Sequence, residues 1–187
     1  DMRSRRLAIA LATLTATVLL AAGCAQQAEP ESEEVVLAEL PVQDATALVD
    51  TTNVLFDITT SSDANGSFRV TSEEPQTFAL YELGDHDLES VQLNYEAKVR
   101  CLDVDGQVFI EMICVFPEQG EFFSRSLQTA MTGTAHWKVQ EAPFFLKEGE
   151  NPSNIKLNLV LNGSGTAWID DIRVTAVPLT EEQLENL

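Results

Sequence analysis

The chain has 187 residues, the length of one ordinary core, and 44% of them are hydrophobic, enough to fill it. Eleven Lys and Arg stand against 30 Asp and Glu, a net charge of −19. That charge repels a phosphate backbone over most of any interface, so nucleic acid is not an expected partner.

Arg3, Arg5 and Arg6 precede an apolar run from Leu7 to Ala22, interrupted by Thr13, Thr15 and Thr17 and ending in Leu20-Ala21-Ala22-Gly23-Cys24. Its 16 residues fall short of the roughly 20 that cross a bilayer as a helix, which favours a secretory signal over a permanent span. Small residues at Ala22 and Gly23 suit a peptidase cleft, and the next residue offers a thiol for acylation. The segment resembles a bacterial lipoprotein lipobox, with Ala21 where Leu is usual. The resemblance implies that residues 1–23 are a signal peptide, that Cys24 is lipidated, and that the mature chain is held at the cell envelope by its acyl chains. Ala25, not being Asp, implies the outer membrane in a Gram-negative cell.

Residues 24–50 read as an acidic tether, with seven carboxylates, Pro30 and Pro41, and no Lys or Arg. Val35 to Leu40 is apolar enough to be a first strand instead. Beyond it the signals are β: 54–58, 68–71, 77–83, 91–102, 107–116, 121–126, 136–142, 155–162 and 166–175. Short strands separated by turn residues predict an all-β, antiparallel β-sandwich over residues 51–178. Residues 179–187 form a short C-terminal helix or tail, because Thr180 and Gln183 have capping-box spacing.

Asp105-Gly106 predicts a two-residue hairpin turn. In that register Tyr95, Ala97, Val99 and Cys101 lie beside Phe116, Cys114, Met112 and Ile110 on a core face. Arg100 then opposes Glu111 on the other face. Cys114 falls about 13 Å along the strand from the position facing Cys101, beyond the roughly 7 Å a bridge allows, so two buried thiols are expected. Asn65-Gly66-Ser67 and Asn162-Gly163-Ser164 read as turns.

Asp170 and Asp171, as neighbours on a strand, are expected to point to opposite faces and so not to act as a catalytic pair. A sandwich that closes its first strand beside its last brings Asp57 near them, which makes Asp57 and Asp171 candidate ligands for a structural calcium. With His86 and His136 the only histidines, and no nucleophile-elbow, zinc or P-loop motif, no enzyme is expected.

The stretch from Asn154 to Val174, with Gly165-Thr166-Ala167-Trp168-Ile169-Asp170-Asp171-Ile172 at its heart, resembles the closing hairpin of galactose-binding-like jelly rolls, the superfamily that holds many carbohydrate-binding modules. Phe123-Ser124-Arg125, Trp137 and Pro143-Phe144-Phe145 are similar to an uncharacterised bacterial branch of it. The resemblance implies a jelly-roll sandwich of about nine strands, often with a structural calcium near its termini. It also implies ligand contact through loop tips or one concave sheet face. The candidate ligand-binding residues are Arg100 and Glu111 for hydroxyl groups, Trp137 or Phe123 for stacking, and Arg125 beside them; Arg100 and Glu111 pairing only with each other is the plainer alternative. A non-catalytic saccharide-binding module and a structural lipoprotein holding an envelope protein both fit this pattern.

Overall fold

The computed structural model describes residues 33–40, 42 and 46–187, so the signal, Cys24 and about half of the tether lie outside the described residues. Eight strands follow in order: β1 (Val35–Leu40), β2 (Val54–Asp57), β3 (Ser67–Ser72), β4 (Gln76–Glu82), β5 (Val91–Phe116), β6 (Gly120–Arg125), β7 (Met131–Leu146) and β8 (Asn154–Pro178). A 3-10 turn at Leu127–Thr129 separates β6 from β7, and α1 (Glu181–Glu185) ends the chain. The stretch read as tether or strand is β1, antiparallel to the end of β8, with Arg173 gripping Glu34 at 2.7 Å.

Every pairing is antiparallel, and all but that of β2 with β3 involve two long strands, β5 and β8, that run beside each other from Val91↔Pro178 to Val115↔Asn154. The first half of β5 pairs on its other side with β7, while the facing half of β8 pairs with β1 and β3, and β2 extends beyond β3. The second half of β5 pairs with β6, and its β8 partner with β4. The two halves make two layers, and their inner faces close on one core that includes Tyr95, Ile110, Leu159 and Ile169. This is the expected antiparallel β-sandwich.

The expected hairpin is not there. Asp105-Gly106 pairs with Ser164 and Gly163, and the ladder bends at that point from one layer to the other. Gly106 has φ +113 and Gly163 φ +150, and a Cβ on either would collide with the backbone of the opposite strand, at Asn162 or Asp105. The two glycine-containing stretches read as separate turns are therefore the two sides of one corner. The core face survives the change, because both halves of β5 look inward from opposite layers. Tyr95, Ala97, Val99, Ile110, Met112 and Cys114 are all fully buried.

Cys101 and Cys114 are free and buried, as expected, although the reason differs: they sit in different layers, beside Ala167 and Ile155 respectively. Burial pushes the Cys114 thiol up to about 12, which makes it a poor nucleophile in the folded chain. At the C-terminus the capping box is complete: Thr180 N–H donates to Gln183 Oε1 at 2.9 Å, and Gln183 N–H donates to Thr180 Oγ1 at 3.3 Å.

The corner supplies a stability test. Gly106→Ala or Gly163→Ala should cost more than about 2 kcal/mol, since each adds left-handed strain to a backbone collision. Gly133→Ala, where φ is +65 but a Cβ meets nothing within 4 Å, should cost only about 1 to 2 kcal/mol. Urea unfolding of the three variants measures the difference, and equal losses would show that the close approach at the corner is not limiting.

Candidate functional site

The outward face of the first layer collects a row of large side chains across its strands. Phe68 and Val70 point into the core, so Arg69 between them points out, opposite Leu55 on β2 and Trp168 on β8. Trp168 is in turn opposite Arg100 on β5. On β7 the register slips between Lys138, which faces Val99, and Ala135, which faces Cys101, so His136 and Trp137 together stand across from Arg100. The row reads Leu55, Arg69, Trp168, Arg100, Trp137, and it holds both tryptophans of the chain. The Arg100 guanidinium lies 5.5 Å from the centroid of the Trp168 ring, which is only 7% exposed. Trp168 Nε1 donates to Asp57 Oδ2 at 2.9 Å, fixing the plane of the indole.

Arg100 and Glu111 do not face each other, because the hairpin that was to bring them together is a bend between layers. Glu111 lies on the outward side of the second layer yet is 4% exposed, held by the Nε of Arg125 and by Asn158 Nδ2 at 3.1 Å. Arg125 also lies 4.0 Å over the ring of Phe123, which is 59% exposed. Three of the five expected ligand residues, Glu111, Phe123 and Arg125, thus form one cluster, while Arg100 and Trp137 belong to the other face.

Between the edges of the layers, a groove of about 550 Å³ is lined by Arg125, Gln128, Thr129 and Ser126 on one side and by Val139 and Glu141 on the other. Gln140 does not line the groove but holds two of the residues that do, Ser126 and Thr129. It is fully buried, accepts from Ile110 N–H at 3.0 Å and Ser126 Oγ at 2.9 Å, and donates to the carbonyls of Val108 and Thr129 at 3.3 and 3.2 Å. All four hydrogen-bonding positions of this amide are used, closing the place where β6 stops pairing with β5. Nothing in the local sequence pattern around Gln140 marks it, since it occupies an apolar position in the alternation of β7.

Asp170 and Asp171 are not on opposite faces. Between the pairs Glu96↔Arg173 and Lys98↔Asp170, β8 carries one residue more than β5, and Asp171 takes φ +49. This bulge turns both carboxylates outward, within 4.8 Å of each other and of Asp63. Asp170 Oδ2 accepts from Ser62 N–H at 2.7 Å, and Asp171 Oδ2 accepts from Ser62 Oγ at 2.8 Å and from Lys98 Nζ at 2.6 Å. Burial pushes Asp170 up. Burial also acts upward on Asp171, but Lys98 and Ser62 outweigh it and hold that carboxyl below its ordinary value. Of the two expected calcium ligands, Asp171 belongs to this trio and Asp57 does not. Three carboxylates are about half of the six to eight oxygens that calcium takes, and the Lys98 ammonium already balances part of their charge.

The fold is an antiparallel β-sandwich similar to that of several solved carbohydrate-binding modules. The CBM22-1 xylan-binding domain of Paenibacillus barcinonensis Xyn10C superposes with a TM-score of 0.57 at 9% identity, over 78% of this chain and 97% of its own. The CBM22-2 xylan-binding domain of the same protein gives 0.52 at 12% identity, over 75% and 99%. The CBM22-1-GH10 modules of Clostridium thermocellum endo-1,4-β-D-xylanase 10B, solved with xylohexaose, give 0.54 at 10% identity, over 75% of this chain and 28% of the larger one. No protein-family model and no curated protein sequence matches the chain.

The Asp57 carboxyl is drawn down to about 2 from an ordinary 3.8, chiefly by the Thr59 hydroxyl at 2.6 Å, with Trp168 and the Thr59 N–H adding to it against the cost of burial. A depressed carboxylate contributes stability that is present above its unfolded value and lost as pH falls through its folded one. Between pH about 4 and 2 the wild type should therefore lose stability more steeply than Asp57→Asn. Urea midpoints across that range check this, and parallel profiles would show that Asp57 gains nothing from its partners.

Proposed function

We propose that the protein is a non-catalytic saccharide-binding module, displayed at the cell envelope from a lipid anchor on Cys24, and that sugar rests on the outward face of the first layer. The observation that carries this reading is the convergence of both tryptophans on Arg100. Trp137 supplies a half-exposed aromatic edge, Trp168 a rigid indole floor, and Arg100 a guanidinium whose N–H groups hold no hydrogen bond among the described residues. Sugar rings bind through such a pairing of an apolar ring with directed polar donors. The likeness to xylan-binding domains makes xylo-oligosaccharides the natural first probes. The Glu111–Arg125–Asn158 cluster beside Phe123 is the second polar surface with an exposed aromatic, and it is the place to look if the first face proves inert. A scaffold for an envelope protein would need one broad apolar patch. Among the described residues the exposed apolar side chains include Leu55 and Ile58 on β2 and its following loop, Phe122 and Phe123 on β6, and Val139 and Phe145 on β7, so they are divided among several elements.

A glycan array probed with the full chain tests the reading. Trp137→Ala should lower affinity for the best ligand by about 2 kcal/mol or more while leaving the melting temperature nearly unchanged. Unchanged affinity would move the site off this face, and an array without a hit, beside capture of an envelope protein from detergent extracts, would favour the scaffold.

The anchor has its own test. Cells fed an alkyne-bearing palmitate analogue should label the wild type and not Cys24→Ser, and equal labelling of both would remove the membrane attachment.

A further inference from the structure

With 30 acidic residues against 11 basic ones, a cation in this chain is not left unpaired for want of carboxylates. Among the described residues Lys98, Arg125, Lys156 and Arg173 each pair with a carboxylate at 3.6 Å or less. Arg69, Arg100, Lys138 and Lys147 do not, and the two arginines differ from the two lysines in facing outward on either side of a single tryptophan. They stand two strand spacings apart, about 9.6 Å, with the Trp168 indole between them. Asp57 lies near enough to Arg69 to feel its charge, but its oxygens are already taken by Thr59 and Trp168. The Arg100 guanidinium lies over Trp168, 5.5 Å from the ring centroid, and among the described residues its N–H groups make no hydrogen bond or ion pair.

A free guanidinium edge matches a carboxylate through two parallel hydrogen bonds, whereas a sugar hydroxyl engages only one donor at a time. We infer that this face takes a saccharide bearing an isolated carboxylate, a uronic acid substituent on an otherwise neutral chain, seated between Arg69 and Arg100 with its ring against Trp137. The inference rests on the saccharide reading above and names the class of sugar. The carboxylate must be sparse. A uniformly charged polymer would meet the repulsion of a chain with net charge −19, while one carboxylate between two guanidiniums interacts with them well inside the screening length of about 8 Å.

The test is calorimetry of the full chain against matched pairs of oligosaccharides from the array, each neutral member beside its counterpart with one uronic acid branch. Linear xylohexaose and a xylo-oligosaccharide with a single glucuronic acid form the first pair. The acidic member should bind roughly ten- to a hundredfold more tightly in dilute buffer, as charge-assisted hydrogen bonds imply, and the advantage should shrink toward parity in molar salt. Arg69→Gln should bring the ratio of acidic to neutral affinity close to one, and Arg69→Lys, which keeps the charge but not the fork, should leave it in between. Thermal melts of both variants confirm that they are folded. Equal affinity for the two members in the wild type, or a ratio unmoved in Arg69→Gln, overturns the inference and leaves the saccharide reading standing. Binding of no member of any pair overturns both.

Discussion

The contact between Gly106 and Gly163 is the constraint on which the sandwich depends. Two neighbouring strands can pass from one layer to the other only if both bend at the same level, and the bend presses their backbones closer than any Cβ allows. Asp103, at φ +51, and Gly165, at φ +133, absorb the remaining rotation on either side. Because β5 and β8 are thereby shared between layers, every other strand but β2, which pairs with β3, finds its place by pairing with one half of one of them. β7 and β6 lie on the β5 side, and β1, β3 and β4 on the β8 side. Moving the corner by one residue would reverse which side chains of β5 face the core on one side of the bend.

How much of this is legible in the sequence follows from what each signal measures. Period-two alternation reports burial, and it places the inward residues Leu93 to Cys101 and Ile110 to Phe116 correctly, although 91–102 and 107–116 are one strand, β5, and 155–162 and 166–175 are one strand, β8. It is silent on the partner. Asp-Gly between two apolar runs is a local signal of positive φ, and positive φ occurs at Gly106; whether such a residue closes a hairpin or turns a corner is decided by Asn162-Gly163-Ser164-Gly165, more than fifty positions away. The capping box at Thr180 was readable in full because all its atoms lie within one turn of helix.

The same division runs through the candidate site. Trp137 and Arg100 are recognisable as residue types that suit a sugar, but their meeting depends on a bulge at residues 136–137 that alternation does not register. Pairing Arg100 with Glu111 failed together with the hairpin, and the true partner of Glu111, Arg125, lies fourteen residues on in β6. Arg69 had a signal that went unused: a cation between two core residues, Phe68 and Val70, must point outward. Separating Asp170 from Asp171 was sound for a regular strand, and the left-handed φ of Asp171 is what breaks the regularity. Gln140 carried no readable mark at all, since its value lies in four partners drawn from two distant segments, β5 and the 3-10 turn with its cap.

The first face is built to hold its geometry before any ligand arrives. Trp168 cannot rotate without losing its bond to Asp57, and Asp57 is itself held by Thr59 in the loop that follows β2. That loop is latched to β8 a second time, because Ser62 uses its N–H on Asp170 and its hydroxyl on Asp171. Lys98, two residues from Arg100 on the same strand and the same face, completes the latch through Asp171. The acidic cluster beside the row therefore sets the position of its indole and of the strand that carries Arg100, while consuming its own charge internally. A carboxylate approaching Arg69 and Arg100 meets two guanidiniums on a fixed platform, with the nearest acids already engaged by hydrogen bonds and an ammonium. On the proposed saccharide reading, the side-chain entropy lost on binding then falls on the two unpaired arginines and not on the indole and strands beneath them, and a fixed platform of that kind favours selection of one sugar over another.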